Sequence, residues 1–244
     1  MSIMHKEMFG INETLAKEIL EVALSTGGDF AEVYMEKTTN EVLRLHSGKL
    51  STANVSKVKG AAIRIIKGEL EVNSSITDCT YENLLKAAKT LAGSFNDKKH
   101  VEVQPFVEKK VELVVNPKNV RGNDISREVN LLKTASDTIY AYSKEIVQVI
   151  CNLTKMEKRI FVFASDSTWQ TDYRCNTRLS CQAVASDGKE METGFDSFGR
   201  NQGMEMFDDF DVVPFAKQVA HDAVEMLHAC LLYTSPSPRD KRQS

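Results

Sequence analysis

Residues 27–76 read GGDFAEVYMEKTTNEVLRLHSGKLSTANVSKVKGAAIRIIKGELEVNSSI, and the fold is worked out from them. From 29 to 37 the chain alternates. Ala31, Val33 and Met35 fall on one side and Glu32, Tyr34 and Glu36 on the other, the period-2 pattern of a half-buried strand. Leu43 and Leu45 continue the pattern up to His46-Ser47-Gly48-Lys49, where glycine can adopt the positive φ of a tight turn. Ile63 and Ile65 alternate with Arg64 and Ile66 on the return strand. Lys67-Gly68 marks the next turn, and Leu70, Val72 and Ile76 supply the apolar face expected of a third strand. The segment predicts an antiparallel meander.

Helical patterns flank it. Asn12 can cap a helix whose apolar stripe is Leu15, Ile19, Val22 and Ala23, with Gly27 where a left-handed terminus belongs. Thr80 is the cap of a second helix, in which Leu84, Ala88, Leu91 and Phe95 repeat the helical spacing. The fold class expected is therefore α+β, with residues 1–95 forming a domain in the order helix, meander, helix.

Residues 96–123 turn charged and proline-containing, with a strand-like run from Lys110 to Val114 before Asn116-Pro117, and are expected to connect two units. Asp124 would cap a long helix with the stripe Ile125, Val129, Leu132, Ala135, Ile139 and Tyr142. Mostly antiparallel strands should cover that stripe. Val147, Val149, Cys151 and Leu153 alternate, Ile160 to Ala164 has the composition of a buried strand, and Leu179, Cys181, Ala183 and Ala185 alternate before the Asp187-Gly188 turn. Gly194 to Gly203 is polar and glycine-bearing. Pro214 then opens a helix through Ala216, Val219, Ala220, Ala223, Val224 and Leu227. Residues 124–229 thus predict a second α+β unit. Residues 230–244 become a Ser/Pro/basic tail with Pro236 and Pro238, expected to be disordered and foreign to the fold.

Composition narrows the function. A chain of 244 residues with 42% hydrophobic and 27% charged content can build one large or two smaller cores. Its net charge of -3, with lysines scattered among acids, argues against a nucleic-acid partner. No basic-then-apolar leader opens the sequence and no apolar run approaches a membrane span, so a cytoplasmic location is expected. Five widely spaced cysteines, Cys79, Cys151, Cys175, Cys181 and Cys230, fit reduced thiols better than a disulfide framework.

Candidate chemistry is sparse. His221, Glu225 and His228 stand at i, i+4 and i+7, so a helix would put three possible zinc ligands on one face. Lys217 and Asp222 make a solvated amphipathic face the stronger expectation. Cys175 and Cys181 lack the Cys-x-x-Cys spacing of a zinc knuckle. Ser165 and Ser167 have no histidine that the sequence pairs with them, and Asp166-Ser167 and Asp187-Gly188 have turn composition. Gly27-Gly28-Asp29 follows a helix and precedes a strand, the reverse of a phosphate loop. Trp169 and Tyr173 suit packing or a rim. No catalytic, cofactor-binding or metal residue is assigned.

Gly28-Asp29-Phe30-Ala31-Glu32-Val33-Tyr34 and Gly60-Ala61-Ala62-Ile63-Arg64-Ile65-Ile66 resemble two segments of the N-terminal domain of the TldD/PmbA family of bacterial and archaeal metallopeptidases. Residues 128–153, Phe161 to Asp172 and Gly203 to Ala229 keep the family's order more loosely, closer to the TldD branch, and the resemblance covers about the first half of such a protein. It implies a peptidase acting on peptides or unfolded polypeptides. In the family, a His-Glu-x-x-x-His helix holds zinc while its glutamate polarises the metal-bound water. This sequence has no such motif, so no zinc is expected to bind it and it should be inactive alone, as the part leading toward the metallopeptidase domain. A PmbA-type partner subunit or a homo-oligomer is implied as its assembly. A non-catalytic PmbA-like partner subunit and a stand-alone binding module are the alternatives.

Overall fold

Asn12 begins the first helix as its composition demands: its Oδ1 accepts the Leu15 N–H at 2.9 Å. In the computed structural model, which describes residues 9–108 and 125–229, that helix is α1 (Glu13–Leu24). It is followed by β1 (Phe30–His46), β2 (Lys49–Lys67), β3 (Leu70–Ile76), α2 (Tyr81–Ala92) and the short β4 (Val107–Glu108). Then come α3 (Ile125–Tyr142), β5 (Ile146–Ala164), β6 (Thr168–Ser186), β7 (Met191–Arg200), a 3-10 turn (Met204–Phe207) and α4 (Val212–His228). The α+β class is as expected.

Among the described residues all the strands join one seven-stranded sheet in the order β3-β2-β1-β5-β6-β4, with β7 also on β6. Every neighbouring pair is antiparallel except β4 with β6. The strands predicted for 1–95 and for 124–229 are thus continuous, since β1 pairs with β5 from Glu32↔Ala164 to His46↔Ile150. At 19 residues β5 spans on the order of 60 Å. A strand that long can carry two separate cores.

It does. At one end α1 and α2 cover Ala31, Val33, Met35, Ile63, Ile65, Phe161, Phe163 and Trp169. At the other, α3 and α4 cover Leu43, Leu45, Cys151, Leu153, Leu179 and Cys181. The two sets share parity along each strand, so both helix pairs sit on the same face. Each fully buried large side chain contributes about 1.5–3 kcal/mol relative to exposure. The turns match their residues: Ser47 and Gly48 have φ of 48° and 75°, both positive, as a two-residue hairpin of matched twist requires.

Several expectations shift. Val147 is 54% exposed because a register irregularity between Ile146 and Gln148 turns Ile146 inward instead. Leu70 is exposed on β3, an outer strand, while Val72 and Ile76 pack partly on the core. The buried stripe of α3 is Glu128, Leu132, Ala135, Ser136 and Ile139, leaving Ile125 and Tyr142 exposed. The polar Gly194 stretch is an edge strand, β7. Its Gly194 lies so close under α4 that a Cβ there would stand 2.2 Å from the Val219 carbonyl oxygen and 2.6 Å from the Ala223 nitrogen. The strand-like 110–114, the Asp124 cap, Cys230 and the 230–244 tail lie outside the described residues.

Candidate functional site

Between the two cores the helix-bearing face changes character. Cross-strand register lines up three rows of side chains over the middle of the sheet: Lys59–Lys37–Arg159–Tyr173, Lys57–Thr39–Glu157–Cys175 and Val55–Glu41–Lys155–Thr177. The flanking rows are apolar, with Met35 and Phe161 on one side and Leu43 and Leu153 on the other. A cavity of about 210 Å³ opens among Lys37, Thr39, Glu157 and Arg159.

The third row is closed at Lys155 and Thr177. Lys155 is buried and bonds Glu128 of α3 at 2.5 Å and Glu41 at 3.1 Å, a charge cluster that ties α3 to the sheet. Burial of such ions is tolerated only because they are paired. In the first row Arg159 donates to Glu157 through Nε at 3.0 Å and Nη2 at 2.8 Å and lies over the Tyr173 ring at 5.5 Å. Burial first, then the Glu157 charge, pushes the Tyr173 hydroxyl up to about 12, so it stays a proton donor. Burial likewise raises the Cys175 thiol, which makes it a poor nucleophile. Lys37, Lys57 and Lys59 are exposed, and Lys59 also stands 5.4 Å from the Phe9 ring centre. This cleft can hold a ligand by charge and hydrogen bonding. Its side chains offer no activated nucleophile.

The opposite face of the sheet carries a balanced ladder instead. Arg64 reaches Glu32 at 2.8 Å and Lys158 reaches Glu36 at 3.0 Å. Tyr34 donates to Glu36 at 2.7 Å and is pushed up to about 12, by burial first and then by that carboxylate.

The residues singled out by sequence are scattered. His221, Asp222 and Glu225 offer ligand atoms within 4.8 Å of one another, but His228 turns away to Glu145 at 2.9 Å. The other positions are engaged: His221 Nδ1 meets the Tyr142 hydroxyl at 3.1 Å, and Asp222 accepts from Gln218 at 2.7 Å. What this helix surface offers is one imidazole with two carboxylates, of which His221 and Asp222 already have protein partners. Ser165 clamps β1, its Oγ accepting the Ala31 N–H at 3.1 Å, and Ser167 forms the β5–β6 turn at φ 82°. Cys181 faces Cys151 across the strands in the core, far in register from Cys175. Gly27 has φ 94°, and Asp29 accepts the Gly68 N–H at 2.6 Å. Trp169 packs on Phe161 at 4.7 Å between ring centres, while Tyr173 stands at the cleft. Lys37, Thr39, Glu157 and Arg159 went unnoticed in the sequence. Their signal was present: they hold core parity on β1 and β5 yet are polar.

Two models of one protein family match the sequence. Residues 31–94 match PmbA/TldA metallopeptidase domain 1, and residues 118–227 match the PmbA/TldA metallopeptidase central domain. No curated protein matches. Three solved structures share the fold. A candidate modulator of DNA gyrase from Bacteroides thetaiotaomicron VPI-5482 has a TM-score of 0.68 at 13% identity over 89% of this chain. A similarly described protein from Thermotoga maritima MSB8 gives 0.63 at 16% identity over 89%. TldE from Thermococcus kodakarensis gives 0.60 at 14% identity over 88%. This chain spans 49%, 49% and 47% of their lengths, about half in each case.

Proposed function

This chain belongs to the PmbA/TldD family, and we propose that it supplies the first and central domains of a TldD-type zinc-dependent peptidase acting on peptides or unfolded polypeptide segments. The observation that carries the reading is the match of residues 31–94 and 118–227, in order, to consecutive domains of one metallopeptidase family. In this reading residues 1–95 and 124–229 correspond to those domains, and the mid-sheet cleft forms part of the wall along which substrate lies.

Zinc would be held outside these residues. The His221, Asp222 and Glu225 group fits the ion poorly, since His221 is engaged by Tyr142 and Asp222 by Gln218, and the second histidine of this helix, His228, is turned to Glu145. No hydrolytic step is therefore assigned to this chain, which should be inactive by itself. A PmbA-type partner subunit, or a second copy of the chain, would complete the assembly; the fold shared with TldE supports such a partner. A cytoplasmic setting agrees with the free cysteines Cys79, Cys151, Cys175 and Cys181. Among the described residues no helix is long and apolar enough to cross a membrane.

The continuation of the reading frame tests the proposal. A His-Glu-x-x-x-His motif beyond residue 229, with zinc-dependent hydrolysis of an unfolded polypeptide by the full-length product, is the expected result. A frame without that motif would sink the peptidase reading and favour a non-catalytic partner subunit.

A further inference from the structure

The fold shows, within a single row, how it treats a charge that structure requires. Lys155 is buried and held by two carboxylates. Lys37, on the same face of an interior strand two rows away, has no ion pair among the described residues. Edge strands commonly carry lysines to block aggregation, which accounts for Lys57 and Lys59 on β2, whose stretch from 49 to 60 lies outside the β3 pairing. That explanation does not reach Lys37, because β1 is flanked by β2 and β5 along its length. The first two rows gather Lys37, Lys57, Lys59 and Arg159 around Glu157, to which Arg159 is bonded, while Glu41 and Glu128 are taken by Lys155.

We propose that this cleft binds an extended polypeptide segment bearing carboxylates, with Lys37 and Arg159 as its anchors and Lys57 and Lys59 carrying the site toward the sheet edge. Neighbouring strands stand ~4.8 Å apart, and side chains on one face of an extended chain recur every ~6.7 Å, a mismatch that flexible lysine stems absorb. The protonated Tyr173, already leaning on Glu157, places a neutral hydroxyl beside the cations. A nucleic acid fits less well. The band is bounded by apolar cores at both ends, and the ring beside it, Tyr173, is already covered by Arg159 rather than open for base stacking. The inference deepens the peptidase reading by naming its substrate class, and rests on that reading for its biological meaning. Binding itself does not depend on it.

The experiment is fluorescence anisotropy with the full 244-residue chain and a labelled Glu-Ala-Glu-Ala-Glu peptide, against its Gln-Ala-Gln-Ala-Gln analogue. The acidic peptide should bind about 10-fold more tightly than its analogue, with an affinity that falls as salt screens the cations. Lys37→Ala should weaken it about 3-fold, and Lys37→Ala with Arg159→Ala about 10-fold. Lys89→Ala, an exposed lysine on α2, should leave it unchanged. Circular dichroism melts should show Lys37→Ala folded as wild type, since the side chain is exposed. Equal affinity for the two peptides, or no effect of Lys37→Ala, would overturn the proposal. So would displacement by inorganic phosphate at the peptide's own concentration, or tighter binding of a single-stranded oligonucleotide of equal charge. A frame lacking the zinc motif would defeat the peptidase reading while leaving this result intact.

Discussion

The two ends of the sheet are covered by helix pairs in different ways. Under α1 and α2 the sheet is aromatic: Phe161, Phe163, Trp169 and Phe106 pack ring on ring, with centre distances from 4.7 to 6.5 Å. Under the body of α4 the contact between helix and sheet is made by small residues, with Phe198, Phe207, Phe210 and Phe215 clustered at the helix's N-terminal end. Ala183, Ala185, Ala216, Ala220 and Ala223 are fully buried, and Gly194 meets the helix backbone directly. Large rings hold a helix off the sheet and fill the space; small residues let it come close. A change that removes volume should hurt the first end most, and a change that adds volume the second.

Phe161→Ala should therefore have the largest effect, a loss of about 3–5 kcal/mol in denaturant unfolding. A loss under about 1 kcal/mol would mean the aromatic end collapses around the gap. Lys155→Ala, in the band between the ends, should cost about 3 kcal/mol by stranding Glu128 in a buried position, with the partly exposed Glu41 able to relax. If the loss is below about 1 kcal/mol, comparable with a surface pair, the cluster does not tie α3 to the sheet. Gly194→Ala should cost about 1–3 kcal/mol through displacement of α4. Gly60→Ala, where the nearest atom to a Cβ would be 3.5 Å away, serves as the near-neutral comparison. Equal effects of the two glycine substitutions would remove the distinction drawn between the ends.

The smallest expected effect is a pH dependence at the first end. His100 and Asp29 pair at 2.7 Å. The Asp29 hydrogen bond raises the imidazole above its ordinary value, while the Gly68 N–H first and His100 second lower the Asp29 carboxyl. A raised imidazole contributes stability that is fully present below its unfolded pKa and lost as pH rises through its folded one. A lowered carboxyl contributes stability present above its unfolded pKa and lost as pH falls through its folded one. The contribution is thus greatest between the ordinary values of 3.8 and 6.5. His100→Gln should lower the melting temperature more at about pH 5 than at about pH 8. The reverse order would contradict the pairing.

Much of the fold was legible because short-range signals decide it. Asn12 and Thr80 cap the helices they precede, and Ala31, Val33 and Met35 are buried as their alternation says. What escaped is long-range. Nothing local to Val33 announces that Phe163 will be its partner, so the joining of two units into one sheet was invisible. The sequence shows Gly194 only as part of a polar, glycine-bearing stretch, whereas its missing side chain is what α4 requires. The cleft escaped for a related reason: Lys37 and Thr39 break an apolar face in β1, Glu157 and Arg159 break one in β5, and only the register shows that the breaks coincide.

One measurement bears most directly on the account that these residues bind but do not cut: hydrolysis of an unfolded polypeptide by the purified 244-residue chain, with and without added zinc. No cleavage above background in either condition is the predicted result. Zinc-dependent cleavage that disappears in His221→Ala would contradict it, and would make the exposed face of α4 a catalytic site.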